Sequence, residues 1–205
     1  MNDSAQRLVH LVDDDAAIRR SVGFMLKTSG HRVESYESGT ELLKGSAKLD
    51  QGCILLDIRM PGMDGLEVQQ ALQENGVSLP VIIMTGHGDI SLAVRAMKAG
   101  AVDFIEKPFE KDALLASLED GYRRLSRMEA TDDRIRDATI RLQALTARER
   151  DVLEGLAQGL PNKTIAYDLG ISPRTVEIHR SNLMTKLDAR SLSEVLRIAF
   201  DAQRE

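Results

Sequence analysis

The chain has 205 residues, enough for two small domains or one of ordinary size. It carries a formal charge of −5, only 3% aromatic residues and no Trp. Its one cysteine excludes an internal disulfide, and its apolar runs fall far short of the ~20 residues that span a bilayer.

The charge is uneven. Residues 1–120 hold 12 basic against 19 acidic side chains, residues 121–142 have a net charge of +2, and residues 143–205 are neutral. Such asymmetry suggests two domains with different partners, against the plainer alternative of two ordinary solvated surfaces. Residues 1–4 lack the basic and apolar regions of a signal peptide, so a cytoplasmic protein without membrane contact is expected. Cys53, inside an apolar run, reads as a small core residue suited to a reducing compartment.

In chain order, Leu8-Val-His-Leu-Val12 reads as a first strand ending in Asp13-Asp14-Asp15, a cluster that suits either a cation or a solvated turn. Ile18, Val22, Met25 and Leu26 recur at helical spacing up to Gly30. His31 to Tyr36 makes a second strand, and Ser38-x-x-Glu41 a capping box. Cys53-Ile-Leu-Leu-Asp57 is a third strand buried on both faces, followed by the turn signals Pro61-Gly62 and Asp64-Gly65. Leu66, Val68 and Leu72 mark a helix, Val81-Ile-Ile-Met84 a fourth strand, and Thr85-Gly86-His87-Gly88 its end. Asp89 is placed to cap a helix carrying Leu92, Val94, Ala96 and Met97. Val102-Asp-Phe104-Ile105 is the fifth strand, before Glu106-Lys107-Pro108 and a helix with Leu114, Leu115 and Leu118. Five alternations of strand and helix predict a doubly wound α/β fold with a five-stranded parallel sheet.

Ligands bind beyond the carboxyl ends of such strands. Asp13 and Asp14, Asp57, Thr85 and Lys107 all stand there. Each has an ordinary reading as a solvated acid, loop cap, strand-end hydroxyl or surface lysine. Together they suit phosphoryl transfer to a carboxylate. Carboxylate oxygens, a backbone carbonyl and waters satisfy octahedral Mg²⁺. Asp57 is then the nucleophile, Lys107 a second positive charge, and Thr85 a hydrogen-bond donor to the phosphoryl oxygens.

Val12-Asp13-Asp14-Asp15, Leu56-Asp57-Ile-Arg-Met-Pro61-Gly62-x-Asp64-Gly65, Met84-Thr85-Gly86 and Phe104-Ile-x-Lys107-Pro108 resemble the receiver domain of bacterial two-component response regulators over residues 6–120. The resemblance implies a flavodoxin-like fold and phosphorylation of Asp57 by a sensor histidine kinase. It gives Asp14, Asp57 and the Arg59 carbonyl as Mg²⁺ ligands, with Asp13 acting largely through water. It also implies a cis peptide before Pro108, Thr85 as a switch hydroxyl, and Phe104 as an aromatic that turns inward. Phosphorylation-dependent homodimerisation is a further implication, with Val94, Lys98 and Ala101 as candidates for the exposed face; the alternative for Val94 is a core position. Arg59 and His87 flank the pocket where family members tune phosphate lifetime.

Beyond the fifth strand, Leu118, Leu125, Met128, Ile135 and Leu142 keep an approximate heptad that Gly121, Asp132 and Thr139 spoil. A helical linker over 121–142 is expected, with an interruption near residues 130–133 left open. Pairing in a dimer and packing on either domain are equally compatible with the pattern.

Over 143–205, Thr146-x-x-Glu149 opens a helix, Asn162 is placed to cap a second, Ser172-Pro173 starts a third, and Ser191-x-x-Glu194 a fourth. Four short helices fit either a generic bundle or a helix-turn-helix. Leu145-Thr-x-Arg-Glu149, Asn162-Lys-Thr-Ile-Ala166 and Leu169-Gly-Ile-Ser172-x-Arg-Thr175-Val176-x-x-His179-Arg-x-Asn182 resemble the LuxR-type helix-turn-helix. The whole chain is thus similar to the FixJ/NarL response regulators, non-enzymatic regulators whose partners are promoter DNA and RNA polymerase, usually as activators. In such a domain helix 172–187 lies in the major groove. Arg174, Thr175, His179, Arg180 and Lys186 are then expected on phosphates, and Glu177, Ile178 and Ser181 where bases are read. One rival is a haloacid-dehalogenase-like phosphohydrolase using Asp13-x-Asp15, although Ala16-Ala17 depart from that motif. Another is a constitutive DNA-binding protein with an idle pocket.

Overall fold

A computed structural model describes residues 7–86 and 90–203. The expected Asp89 cap and the His87 position lie outside the described residues. The chain divides into two compact units, residues 1–127 and 128–205.

The first unit is a five-stranded parallel sheet in the order β2-β1-β3-β4-β5. Its strands are β1 (Leu8–Val12), β2 (Arg32–Tyr36), β3 (Gly52–Asp57), β4 (Val81–Thr85) and β5 (Asp103–Glu106). The helices α1 (Ala16–Thr28), α2 (Gly39–Lys44), α3 (Gly65–Glu74) and α4 (Ile90–Lys98) connect them, and α5 (Lys111–Gln143) follows β5. Strands β1, β3 and β4 are buried at every position. That explains their apolar character, interrupted in β1 only by the buried, hydrogen-bonded His10: alternate residues feed two cores rather than one core and solvent. Val9, Leu11, Cys53, Leu55, Ile82 and Met84 pack with α1 and α5, whereas Val12, Ile54, Leu56, Val81 and Ile83 pack with residues of α2, α3 and α4. Each core buries large aliphatic side chains, which stabilise by roughly 1.5–3 kcal/mol apiece.

Helix starts follow the local chemistry. Asp15, Ser38 and Asp64 each accept a backbone N–H from the first turn of their helix, and Asp64 forms a full capping box with Glu67.

Helix α5 runs unbroken from Lys111 to Gln143, so the interruption left open near residues 130–133 does not occur. Its apparent heptad has a different cause. Leu114, Leu118, Tyr122 and Leu125 belong to the first core, so packing of α5 on the sheet continues past residue 120. Gly121 marks the closest approach, because a Cβ there would lie 2.7 Å from Cys53 Sγ. The glycine that breaks the heptad is what lets the helix sit on the sheet.

The second unit holds α6 (Ala147–Ala157), α7 (Asn162–Leu169), α8 (Pro173–Lys186) and α9 (Leu192–Asp201) around a third core that includes Val152, Ile165, Val176, Leu183 and Val195. Thr146 and Glu149 form the expected capping box, and Ser172 and Ser191 accept from Thr175 N and Glu194 N. Asn162 does not cap α7. Pro161 takes the N-cap position, and the Asn162 side chain instead accepts a bond from Arg180 at 2.9 Å. Gly170, at φ 65°, ends α7 in the left-handed conformation that permits the tight turn into α8.

Candidate functional site

Strand order sets the pocket. The sheet grows outward in opposite directions from β1 and β3, and the crevice between their carboxyl ends is the topological switch point. Asp13 follows β1 and is 1% exposed; Asp57 ends β3 and is 6% exposed. Lys107, just beyond β5, donates to Asp13 Oδ2 at 2.7 Å and to Asp57 Oδ1 at 2.5 Å. Its backbone N–H bonds the Thr85 carbonyl at 2.8 Å, and the peptide joining it to Pro108 is cis. The remaining carboxylate oxygens are also engaged, Asp13 Oδ1 by Asp15 N at 2.9 Å and Asp57 Oδ2 by Arg59 N at 3.1 Å. Arg19 steadies the acidic loop by donating to the carbonyls of Asp13 and Asp14 at 2.6 and 2.9 Å.

The loop after Asp57 folds back tightly. Gly65 N donates to the Ile58 carbonyl at 2.9 Å, and a Cβ on Gly65 would lie 2.5 Å from the Asp57 carbonyl oxygen. This is the physical reason for glycine at that position.

Burial is the largest influence on Asp57 and pushes its carboxyl above the ordinary range, with the negative charge of Asp13 adding to the rise; the hydrogen bond and charge of Lys107 oppose both. On Lys107, burial works downward, but the two carboxylates outweigh it and raise the group, so its ammonium stays charged.

The predicted residues are not all assembled. Asp13, Asp57 and Lys107 meet. Asp14 is exposed on the loop, and Thr85 is buried with its hydroxyl donating to the Gly86 carbonyl at 3.2 Å. Asp15, the second acid of the hydrolase-like motif, accepts from Ala17 N as the cap of α1. Among the described residues no three Asp, Glu, His or Cys side chains form a ready-made metal cage. Mg²⁺ nevertheless keeps several waters and needs only one or two carboxylates. The carboxylates of Asp13 and Asp57, which meet at Lys107, are hard oxygen donors of the kind that demand needs.

On the α4–β5 face, Phe104 and Val94 are 41% and 46% exposed, and Met97 and Lys98 are exposed beside them on α4. Val94 is therefore a surface residue rather than core. Ala101 is corrected: it is 5% exposed and packs in the second core, so it offers nothing to a partner.

On α8, Arg174, Glu177, Ile178 and Ser181 are exposed, with Arg174 and Glu177 4.0 Å apart. Thr175 and His179 are half-buried, and Thr175 Oγ1 lies 2.8 Å from Ser172 Oγ. Lys186 departs from the phosphate-contact expectation. Its Nζ is paired at 2.7 Å with Glu149, which is almost wholly buried, so it braces α8 against α6. Burial is the largest influence on Glu149 and acts upward, but Lys186 and Thr146 outweigh it and hold the carboxyl below its ordinary value.

Comparison with known proteins matches residues 9–119 to the response regulator receiver domain and residues 143–199 to the bacterial regulatory proteins of the luxR family. This chain belongs to the response regulator family. The transcriptional regulatory protein FixJ of Azorhizobium caulinodans is 49% identical over 94% of this chain and 91% of its own length, and FixJ of Rhizobium meliloti is 47% identical over 94% of each. Full-length FixJ from B. japonicum, a solved structure, is 43% identical with a TM-score of 0.62, covering 98% of this chain and all of its own. The response regulator StyR is 38% identical with a TM-score of 0.80, covering 96% and 99%. As in other response regulators of this kind, a receiver domain precedes a LuxR-type DNA-binding domain. No helix among the described residues is long and apolar enough to cross a membrane.

Arg19 and the Glu149–Lys186 pair are what residue patterns do not reveal. Arg19 looks like one more solvated helix arginine, and 37 positions separate Glu149 from Lys186.

Two stability predictions follow from the shifted groups. Asp57 with a raised carboxyl contributes most to stability below the ordinary carboxylate value of 3.8, and loses that contribution as pH rises through its folded value. Asp57→Asn is expected to stabilise the receiver near pH 7 by about 1 kcal/mol, a gain that shrinks on acidification; urea denaturation showing no gain would contradict this. Glu149 is the opposite case, its contribution complete above 4.5 and lost as pH falls through its lowered value. Lys186→Ala leaves a buried carboxylate unpaired and is expected to cost the second unit about 3 kcal/mol, read from amide exchange in α8.

Proposed function

We propose that this response regulator is switched by phosphorylation of Asp57, with a sensor histidine kinase as the physiological donor. The observation that supports this best is the Lys107 ammonium standing between Asp13 and Asp57. Its charge opposes the upward pull of burial on Asp57 and stands where it can meet an incoming phosphoryl group. An Asp57 carboxylate oxygen attacks phosphorus, a P–O bond forms, and the bond from phosphorus to the donor's histidine nitrogen, or to acetate in acetyl phosphate, breaks. Asp14, Asp57 and the Arg59 carbonyl would hold Mg²⁺, with Asp13 acting through water. The ion supplies charge neutralisation at the transferring group. Lys107 then turns from the carboxylate toward the phosphoryl oxygens, and Thr85 moves its hydroxyl from the Gly86 carbonyl to donate to them.

Phosphorylation adds about −1.5 to −2 charge. The space Thr85 leaves accepts Phe104, whose exposed ring is available to turn inward. The face carrying Val94, Met97 and Lys98 then pairs with a second copy. Dimerisation matters because residues 143–205 have no net charge; one copy releases few counterions on DNA, and a two-fold site doubles the contacts. Arg174, Thr175 and His179 contact phosphates, with Arg180 held at the flank of the helix by Asn162, while Glu177, Ile178 and Ser181 face bases, where Glu177 accepts from cytosine and Ile178 meets a thymine methyl. In the cytoplasm the bound dimer activates transcription through RNA polymerase.

Acetyl phosphate with Mg²⁺ is expected to add one phosphoryl group to the wild type and none to Asp57→Asn, by intact mass. Lys107→Ala is expected to bind Mg²⁺ and accept phosphate yet stay monomeric in sedimentation. Phosphate incorporation in Asp57→Asn equal to wild type contradicts the acceptor, and normal dimerisation of phosphorylated Lys107→Ala contradicts the role of Lys107.

A further inference from the structure

Helix α8 ends in a closely wound turn. Leu187 N donates to the Leu183 carbonyl at 2.9 Å, Ala189 N to Met184 at 2.9 Å, and Asp188 N to Thr185 at 3.2 Å. The reversal places Asp188 at φ 48°, a left-handed conformation that is unfavourable for a side-chain-bearing residue. These bonds satisfy three of the terminal carbonyls that a helix leaves over. The Leu187 carbonyl, two residues further along, accepts from Arg141 Nη1 at 3.2 Å. Arg141 is itself oriented by an ion pair from its Nε to Asp137, at 2.9 Å on the preceding turn of α5. Both line a cleft of about 380 Å³ with Asp188, Glu194 and Arg197. A guanidinium at this end also complements the negative pole of α8.

The same end of α8 is tied to α6 by Lys186 and Glu149. The two tethers differ in where they lead. Both lie within the second unit, but Glu149 sits on α6, whereas Arg141 and Asp137 sit on the last turns of α5. We infer that Arg141 is a positioning residue for DNA reading, fixing the carboxyl end of α8 to the last turns of α5. Order in segment 134–143 and the seating of α8 in the groove then depend on one another. The inference rests on the proposed placement of α8 in the major groove. Any coupling through the tether is reciprocal, so DNA on α8 must stabilise the segment as much as the segment stabilises DNA binding.

The test uses the full chain treated with acetyl phosphate and Mg²⁺, and the duplex it enriches from a random-sequence pool. Arg141→Ala is expected to bind that duplex about tenfold more weakly and to lose much of its preference over unselected duplex. The slope of log affinity against log salt is expected to stay as in the wild type, because Arg141 touches no phosphate; a lost phosphate contact would reduce it by about 0.9. Arg141→Lys, which retains the charge but not the fork, recovers part of the affinity, and Asp137→Asn weakens binding in the same direction by less. DNA is expected to slow amide exchange across residues 134–143 in the wild type and not in Arg141→Ala. Unchanged affinity and preference in Arg141→Ala would overturn the inference. So would a shallower salt slope, which signals a direct phosphate contact, or a loss wholly accounted for by an unfolded fraction. If the wild type enriches no duplex, the placement of α8 in the groove fails first, and this inference falls with it.

Discussion

A single ammonium group holds the receiver pocket together. Lys107 lies 2.7 Å from Asp13 and 2.5 Å from Asp57, two carboxylates that are almost entirely out of water. Two such acids side by side repel, and desolvation disfavours the charge on each. Lys107 makes the pair tolerable, and the raised Asp57 carboxyl shows how narrowly. The rest of the unit serves that contact. Adjacent β1 and β3 bring the acids together, the backbone bond from Lys107 N to the Thr85 carbonyl holds the end of β5 beside β4, and Gly65 lets the following loop pass under Asp57. In the function proposed above, phosphoryl oxygens on Asp57 would compete for the one ammonium that both acids share.

The fold was largely legible from residue patterns because the physics is local. Short apolar runs bounded by turn residues fit strands covered on both faces, and the caps at Ser38, Thr146, Ser172 and Ser191 use the side chains nearest to the orphan N–H groups. Where the reading needed revision, the deciding neighbour was distant in sequence. The first part of the α5 heptad reflects packing on the sheet, where Gly121 meets Cys53 on the face that Leu118 and Leu125 also cover. Ala101 resembles an accessible small residue until the second core closes over it. Lys186 resembles a free cation until Glu149 is brought beside it. The candidate pocket was legible as a set of strand ends, but not as the particular pairing of Lys107 with both acids, which joins residues 94 and 50 positions apart.

In the second unit, basic side chains on and around α8 divide between architecture and solvent. Arg180 reaches Asn162 on α7, Lys186 reaches Glu149 on α6, and Arg141 reaches the carbonyl end of α8. These polar ties set the orientation of the helix, while Val176 and Leu183 supply its apolar anchorage. Arg174, Glu177, Ile178 and Ser181 remain on the open side. A neutral domain with so few uncommitted cations gains little from electrostatic attraction to DNA. In the function proposed above, affinity comes from two copies acting together, so control of pairing in the receiver would be control of DNA occupancy.

That chain of dependence, from a carboxylate at the end of β3 to occupancy of DNA, is tested most directly by genome-wide footprinting of the wild type and Asp57→Asn, each with and without acetyl phosphate. The account predicts protection at a discrete set of sites for phosphorylated wild type, little without phosphate, and little for Asp57→Asn in either condition. Equal protection by Asp57→Asn and wild type, with the same response to acetyl phosphate, would contradict it.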